Sequence, residues 1–434
     1  MKKLVALTLV LVLLVSCGRT PSEGSIETSQ EETTVDSTEV VDQEVVFIEP
    51  ETPVLSSTKY VSLSLEDAQL IDTSSLYYTY VLGVRKSYPD YLPDIVHFDY
   101  PYIYYTRMTA TVDGADDDDP NYYIGRYSVE TLERVEFALD DWHAQSDVTE
   151  STVYVDRDLV FYVYSPLSEE FSIRIEMFDF SDESRKTIAE YPAHNVIGYI
   201  KKLNDSEIVF LIYEQVGEDT EQVLVKYNFV DDSLCEIYRG DNVNVKEGTK
   251  DIWAFDTEDD NIVLLMQQYL NDTMTFYIRI IDDEGNIVSD EKVDALSEYD
   301  SYGDTAESLV VVNDYVFICF SRFTRDADNQ KPLFVILKKA GSEYRLVEAE
   351  ANEEPRYLCS STQSDCVYFT VRDNSNKLFV VDTATDESYV VTIENENIQN
   401  VLADSDGNIL VEERTDDISR WYIILSEAVL DNLK

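Results

Sequence analysis

The sequence predicts an all-β chain folded as a seven-bladed β-propeller. Three observations lead there: one strongly apolar strand type returns seven times, each return is followed by an alternating strand and then a more polar one, and Asp, Asn and Gly mark the tight turns between them. The apolar strands start at Tyr102, Leu159, Ile208, Ile262, Tyr315, Cys366 and Ile409, 43 to 57 residues apart. Four short strands and their turns fill such a repeat.

The apolar strands, YIYYTR at Tyr102 through IVFLIY at Ile208 to ILVEER at Ile409, are nearly continuous in hydrophobic character, as a strand covered on both faces must be. The next strands, such as FSIRIEMF, QVLVKYNF and TFYIRII, alternate, which places them further out with one wetter face. SRKTIAEY, LCEIYRG and ESYVVTI are outer strands reached through turns such as DDEGN at Asp282 and TATDE at Thr383. A short strand ahead of each apolar one, for example STVYV, DIWAF or IQNVLA, completes the blade.

Closure decides the count. After the last alternating strand only SEAVLDNLK remains, a poor outer strand, so LYYTYVLGV from Leu76 is expected to supply the outer edge of blade seven and leave no open edge. Assigned to a small N-terminal subdomain instead, it would leave six or eight blades. Residues 59–434 exceed the roughly 250–300 residues at which one hydrophobic core stops growing. Blades escape that limit, because each buries itself against its neighbours.

Two stretches carry a resemblance. VVDTATDESYVVTI from Val380 resembles the outer hairpin of YVTN-type propeller repeats, and DSDGNILV from Asp404 resembles a strand approach common in extracytoplasmic propellers. Each covers about one blade and implies architecture, with no activity. Tryptophan-aspartate ends, kelch double glycines, YWTD tetrads and the sialidase S-x-D-x-G-x-x-W box are absent from the sequence.

The N-terminus carries an address. Lys2 and Lys3 precede an apolar run over residues 4–15, a secretory signal too short to span a bilayer comfortably. Leu14, Val15, Ser16 and Cys17 resemble the lipobox of bacterial lipoproteins. That resemblance implies a signal peptide over 1–16 and acylation of Cys17, with chains such as palmitate, as the mature N-terminus. It implies a lipid anchor on the extracytoplasmic side of the cell membrane or the outer membrane. Residues 17–58, rich in Ser, Thr and Glu, bury too little to offset their ordering entropy and read as a disordered acidic tether. The β-propeller domain occupies 59–434.

With 33 basic and 87 acidic residues the formal charge is −54, which repels phosphate backbones and excludes nucleic acid as a partner. Cys235, Cys319, Cys359 and Cys366 show neither zinc nor redox spacing, although Cys359 and Cys366 flank a hairpin across which a disulfide could form.

Candidate site residues lie in the loops after the apolar strands. Asp116, Asp117, Asp118 and Asp119 could hold Ca²⁺, which takes six to eight oxygen ligands from flexible loops. Arg107, Arg322, Arg372 and Arg414, each at the end of an apolar strand, could form a basic ring for a carboxylate or phosphate ligand. Nucleophile motifs, a P-loop and a dinucleotide fingerprint are missing, and His97, His143 and His194 lack partner patterns. No catalytic residue stands out. The chain therefore reads as a binding or scaffolding module for a protein or small ligand. The alternatives are a propeller hydrolase acting on extracellular carbohydrate or peptide, and an envelope assembly factor.

Overall fold

The computed structural model describes residues 55, 58–71, 94–109, 121–139, 153–164, 172–192, 196–217, 219–242, 249–270, 273–296, 304–322, 334–341, 343–347, 355–360, 365–371, 374–395, 397–415 and 418–433. These residues form seven sheets in chain order, each an antiparallel meander. Six blades, over 94–139, 153–192, 196–242, 250–292, 304–347 and 355–393, draw all four strands of their meander from consecutive sequence. Blade 7 has three, Ile398–Ala403, Ile409–Thr415 and Ile418–Ile424. The chain is a seven-bladed β-propeller.

All seven predicted apolar strands occupy the second position of their blades. In blade 3, Glu207–Val216 pairs residue for residue with Asp219–Asn228, and Ile208 to Ile212 are all buried. Two-sided burial follows from position: each second strand faces a neighbouring blade on either side. Seven separate apolar cores result, one per seam. Tyr104, Ile124, Val160 and Phe178 fill the seam between blades 1 and 2. Phe98, Tyr127, Leu410 and Trp421 fill the one that closes the ring between blades 7 and 1. Six of the seven first strands, which line the ring's centre, carry a register shift, as between Ile95 and His97 or Ile252 and Ala254. Such bulges sharpen the local twist where strands from successive blades converge.

Closure uses the N-terminus, but not the stretch expected. The outer strand of blade 7 is Gln69–Leu70 (β2), antiparallel to Tyr422 and Ile423; Leu76 to Val84 lie outside the described residues. The sequence shows no sign of the strand ahead of it. Lys59–Leu63 (β1) adds to blade 6 as a fifth strand, parallel to Glu387–Ile393. A single 3₁₀ turn over Leu65–Asp67, capped by the Ser64 hydroxyl accepting from the Glu66 amide, joins β1 to β2. The other end of the chain is the helix Ser426–Leu433 (α1), whose Val429 shares the seam between blades 6 and 7 with Leu63. Among the described residues no helix is long and apolar enough to cross a membrane.

Candidate functional site

The predicted site residues are only partly in view. Cys17, Arg372 and Asp116 to Asp119 lie outside the described residues, as do His143 and His194. Arg107 and Arg322 stand on the strands Tyr102–Thr109 and Tyr315–Arg322, at the end leading to the loops named above. Arg414 holds the same place in blade 7, with its Nε 3.9 Å from Glu412 Oε1. Across their hairpin Cys359 is in register with Tyr368, whereas Cys366 is in register with Asp382, so the two are not cross-strand partners. Among the described residues no three or more His, Cys, Asp or Glu side chains are grouped so as to hold a metal ion.

A different set of ionisable groups meets at the opposite mouth of the ring, where each first strand turns into its apolar neighbour. Blade 1 ends there at Asp99, blade 2 at Asp156, blade 4 at Asp256 and Glu258, and blade 7 at Asp404. The first strand of blade 3 supplies the balancing cations in adjacent positions. Because neighbours in a strand point to opposite faces, Lys202 reaches Asp156 of blade 2 at 3.2 Å while Lys201 reaches Asp256 of blade 4, also at 3.2 Å. Asp256 is held a second time by the Val311 amide of blade 5, at 2.8 Å. The Thr257 hydroxyl donates to the Lys202 carbonyl, and the Tyr100 amide donates to Asp404 Oδ2 at 3.1 Å, tying blade 1 to blade 7.

Two carboxyls of this collar hold their protons far above the usual range. Burial, reinforced by the negative charges of Asp404, Asp406 and Asp156 against the opposing Arg157, pushes Asp99 up to about 6. Burial also lifts Glu258 to about 7; an Asn313 backbone hydrogen bond opposes the rise, while Asp259, Asp256 and Asp314 add to it. Burial draws the His97 imidazole down to about 4, so it is neutral at pH 7; its ring centre lies 5.9 Å from that of Tyr104. The collar can therefore take up or release protons close to neutrality. It escaped the sequence reading because its members stand tens of residues apart. Aligning the repeats on the end of each inner strand brings Asp99, Asp156, Asn204 and Glu258 of blades 1 to 4 into one column.

No protein-family model and no curated protein matches the chain. Among solved structures, the β-propeller domain of the Trilobed protease from Pyrococcus furiosus is similar at 12% identity and TM-score 0.48, over 78% of this chain and 97% of that one. The acylaminoacyl peptidase of Pyrococcus horikoshii aligns at 13% identity and TM-score 0.49 over 77% of this chain; the chain spans about half, 51%, of that protein. An oligogalacturonate lyase from Vibrio parahaemolyticus aligns at 13% identity and TM-score 0.46, over 78% and 92% of the two chains. Likeness at this level says nothing of activity.

Proposed function

We propose that this chain is a lipid-anchored, extracytoplasmic β-propeller that works as a binding or scaffolding module for a protein or small ligand. The observation that carries the reading is the use made of ionisable side chains in the ring. Asp156, Lys201, Lys202, Asp256 and Asp404 join one blade to the next, and His97, the one described histidine, packs beside an aromatic ring. Groups so used hold a platform rigid. Cys17 and the acidic stretch up to residue 58 supply the membrane attachment in this reading.

A test combines anchoring and capture. Cells expressing the full chain are fed an alkyne-tagged palmitate, and Cys17→Ser is compared with the wild type; label on the wild type alone supports the anchor. Crosslinking followed by purification should then recover a stoichiometric partner. Equal labelling of both chains sinks the anchor, and wild-type protein that recovers nothing sinks the module.

The second reading, hydrolysis of extracellular carbohydrate or peptide, draws on Asp99 and Glu258, which burial raises to about 6 and about 7, toward the range a general acid uses. It requires turnover of a glycan or peptide library that Asp99→Asn or Glu258→Gln abolishes. Unchanged turnover in both variants ends it.

A further inference from the structure

The outer strands of the blades are not alike. Those of blades 2 and 4, Ser184–Pro192 and Ile287–Lys292, alternate exposed and partly buried residues and carry Arg185, Lys186, Asp290, Glu291 and Lys292. Charged residues on an edge strand discourage pairing with another chain. The outer strand of blade 6, Glu387–Ile393, reads ESYVVTI, and Tyr389, Val390, Val391 and Ile393 are each at most 5% exposed. Its apolar side chains fill the seams on either side, and β1 covers its edge.

The cover differs from every other strand in the ring. Each blade is an antiparallel meander of at least three strands that β1 does not help to form, and β1 lies on blade 6 in parallel, from Lys59 opposite Tyr389 to Leu63 opposite Ile393. This is how a separate extended peptide adds to a sheet edge. Side chains anchor it at even intervals. Leu55 is 2% exposed in the seam between blades 5 and 6, Leu63 is 4% exposed in the seam between 6 and 7, and Ile71 is 4% exposed in the seam between 7 and 1. Three seams thus receive one fully buried apolar residue each, eight positions apart, and Val61, Leu65 and Ala68 pack partly buried beside Leu63. At the leading end, Lys59 Nζ donates to both oxygens of Glu387 at 2.8 Å, and the hydroxyls of Thr58 and Ser388 are 3.0 Å apart. The outward side is open: Tyr60 is 72% and Leu70 58% exposed.

We propose that the rim of blades 5 to 7 is a strand-docking groove with three apolar pockets, and that residues 55–71 are its displaceable occupant, interchangeable with the same segment of a second copy of this chain. Displacement is favoured by the slenderness of the attachment. β1 has five residues on one partner strand and β2 has two, in a ring whose blade strands reach ten. Parallel pairs are slightly weaker per residue, and segments with few buried contacts open first. Refilling is favoured by what is uncovered, an apolar edge whose one charge, Glu387, is at the end where Lys59 meets it. The sequence that fits the pockets is the one already there.

The test uses the full chain and a fluorescent synthetic peptide of residues 51–71. The groove predicts saturable, slow incorporation of the peptide into the folded protein. A peptide carrying Leu63→Asp should bind at least tenfold more weakly. Amide exchange on the wild type keeps the test independent of any destabilised variant: residues 59–63 should exchange at least tenfold faster than the second strand of blade 6, Cys366–Val371. The proposal is overturned by exchange of both segments at one rate, by a peptide that fails to incorporate, or by equal binding of the Leu63→Asp peptide.

Discussion

The same turn occurs at two places among the described residues, once at the periphery and once in a seam. Asp282 to Asn286 closes the outer hairpin of blade 4, and Asp404 to Asn408 precedes the apolar strand of blade 7. Five hydrogen bonds are common to both. The Asp amide donates to the Asn carbonyl at 3.0 Å in each, and the Gly amide to the Asp carbonyl at 3.0 Å. The Asp Oδ1 accepts the amide two residues on at 3.0 Å and the Asn amide at 2.8 Å, and the Asp Oδ2 accepts the Asn side chain at 2.9 and 2.8 Å. Gly285 and Gly407 hold positive φ, +87° and +83°. The aspartates nevertheless behave oppositely. Hydrogen bonds, led by Asn286, hold Asp282 below the usual carboxyl range, whereas burial outweighs the equivalent bonds and pushes Asp404 above it. One local motif thus carries two electrostatic characters, set by what surrounds it. The seam copy has further duties: Asp404 takes the Tyr100 amide of blade 1, and Asn408 Oδ1 takes the Ser426 amide that begins α1, at 2.9 Å.

The largest separation between the two turns should come from truncating the aspartates. Asp404→Ala strands the Tyr100 and Asn408 donors in a buried seam and should cost about 3 kcal/mol, since each buried unsatisfied group costs about 1–3. Asp282→Ala leaves its donors to water and should keep the urea midpoint close to that of the wild type. Equal losses would mean that burial does not distinguish the turns.

Next comes the reverse ordering at the glycines. A Cβ on Gly285 would stand 1.7 Å from the backbone carbonyl oxygen of Ile237, which cannot move without its strand. On Gly407 it would meet the Tyr368 hydroxyl at 2.8 Å, the far end of a side chain. Gly285→Ala should therefore cost about 3 kcal/mol and Gly407→Ala about 1–2, the latter mostly for the left-handed backbone. Thermal melts of the two variants check the order.

The smallest effect is on pH dependence. Asp99, Glu258 and Asp404 have raised values in the fold, so the native state keeps protons that the unfolded chain has released, and stability falls as pH rises from about 4 through about 7. Asp404→Asn removes one of these groups and one of the charges that raise Asp99, so the decline should flatten. Asp282 has a lowered value; its contribution is present above the ordinary carboxyl range and lost on acidification, so Asp282→Asn should alter only the acid limb. Urea titrations from pH 3 to pH 8 read both. An unchanged neutral slope in Asp404→Asn would sever Asp404 from Asp99.

What could be read in the sequence follows the same division between local and distant causes. A strand such as IVFLIY at Ile208 announces two-sided burial through its own composition, and all seven apolar strands sit where that composition puts them. Turn residues were equally plain at Asp282 and Thr383. The closing strand was not. KYVSL and QL are short and half polar, and their partners at Tyr389 and Tyr422 are more than 300 residues away, so the pairing leaves no local trace. The collar was hidden for a related reason: Lys201 is an unremarkable surface lysine until Asp256 of the next blade is placed beside it.

The even placement of Leu55, Leu63 and Ile71 also limits how this segment can change in length. A strand flips every side chain when it slips by one residue, so a single insertion in β1 would turn Leu63 toward solvent and Tyr60 inward. Substitutions at outward positions such as Tyr60 and Leu70 meet no such penalty. Among natural variants of the chain, the number of residues between the three anchors should hold while the letters between them drift.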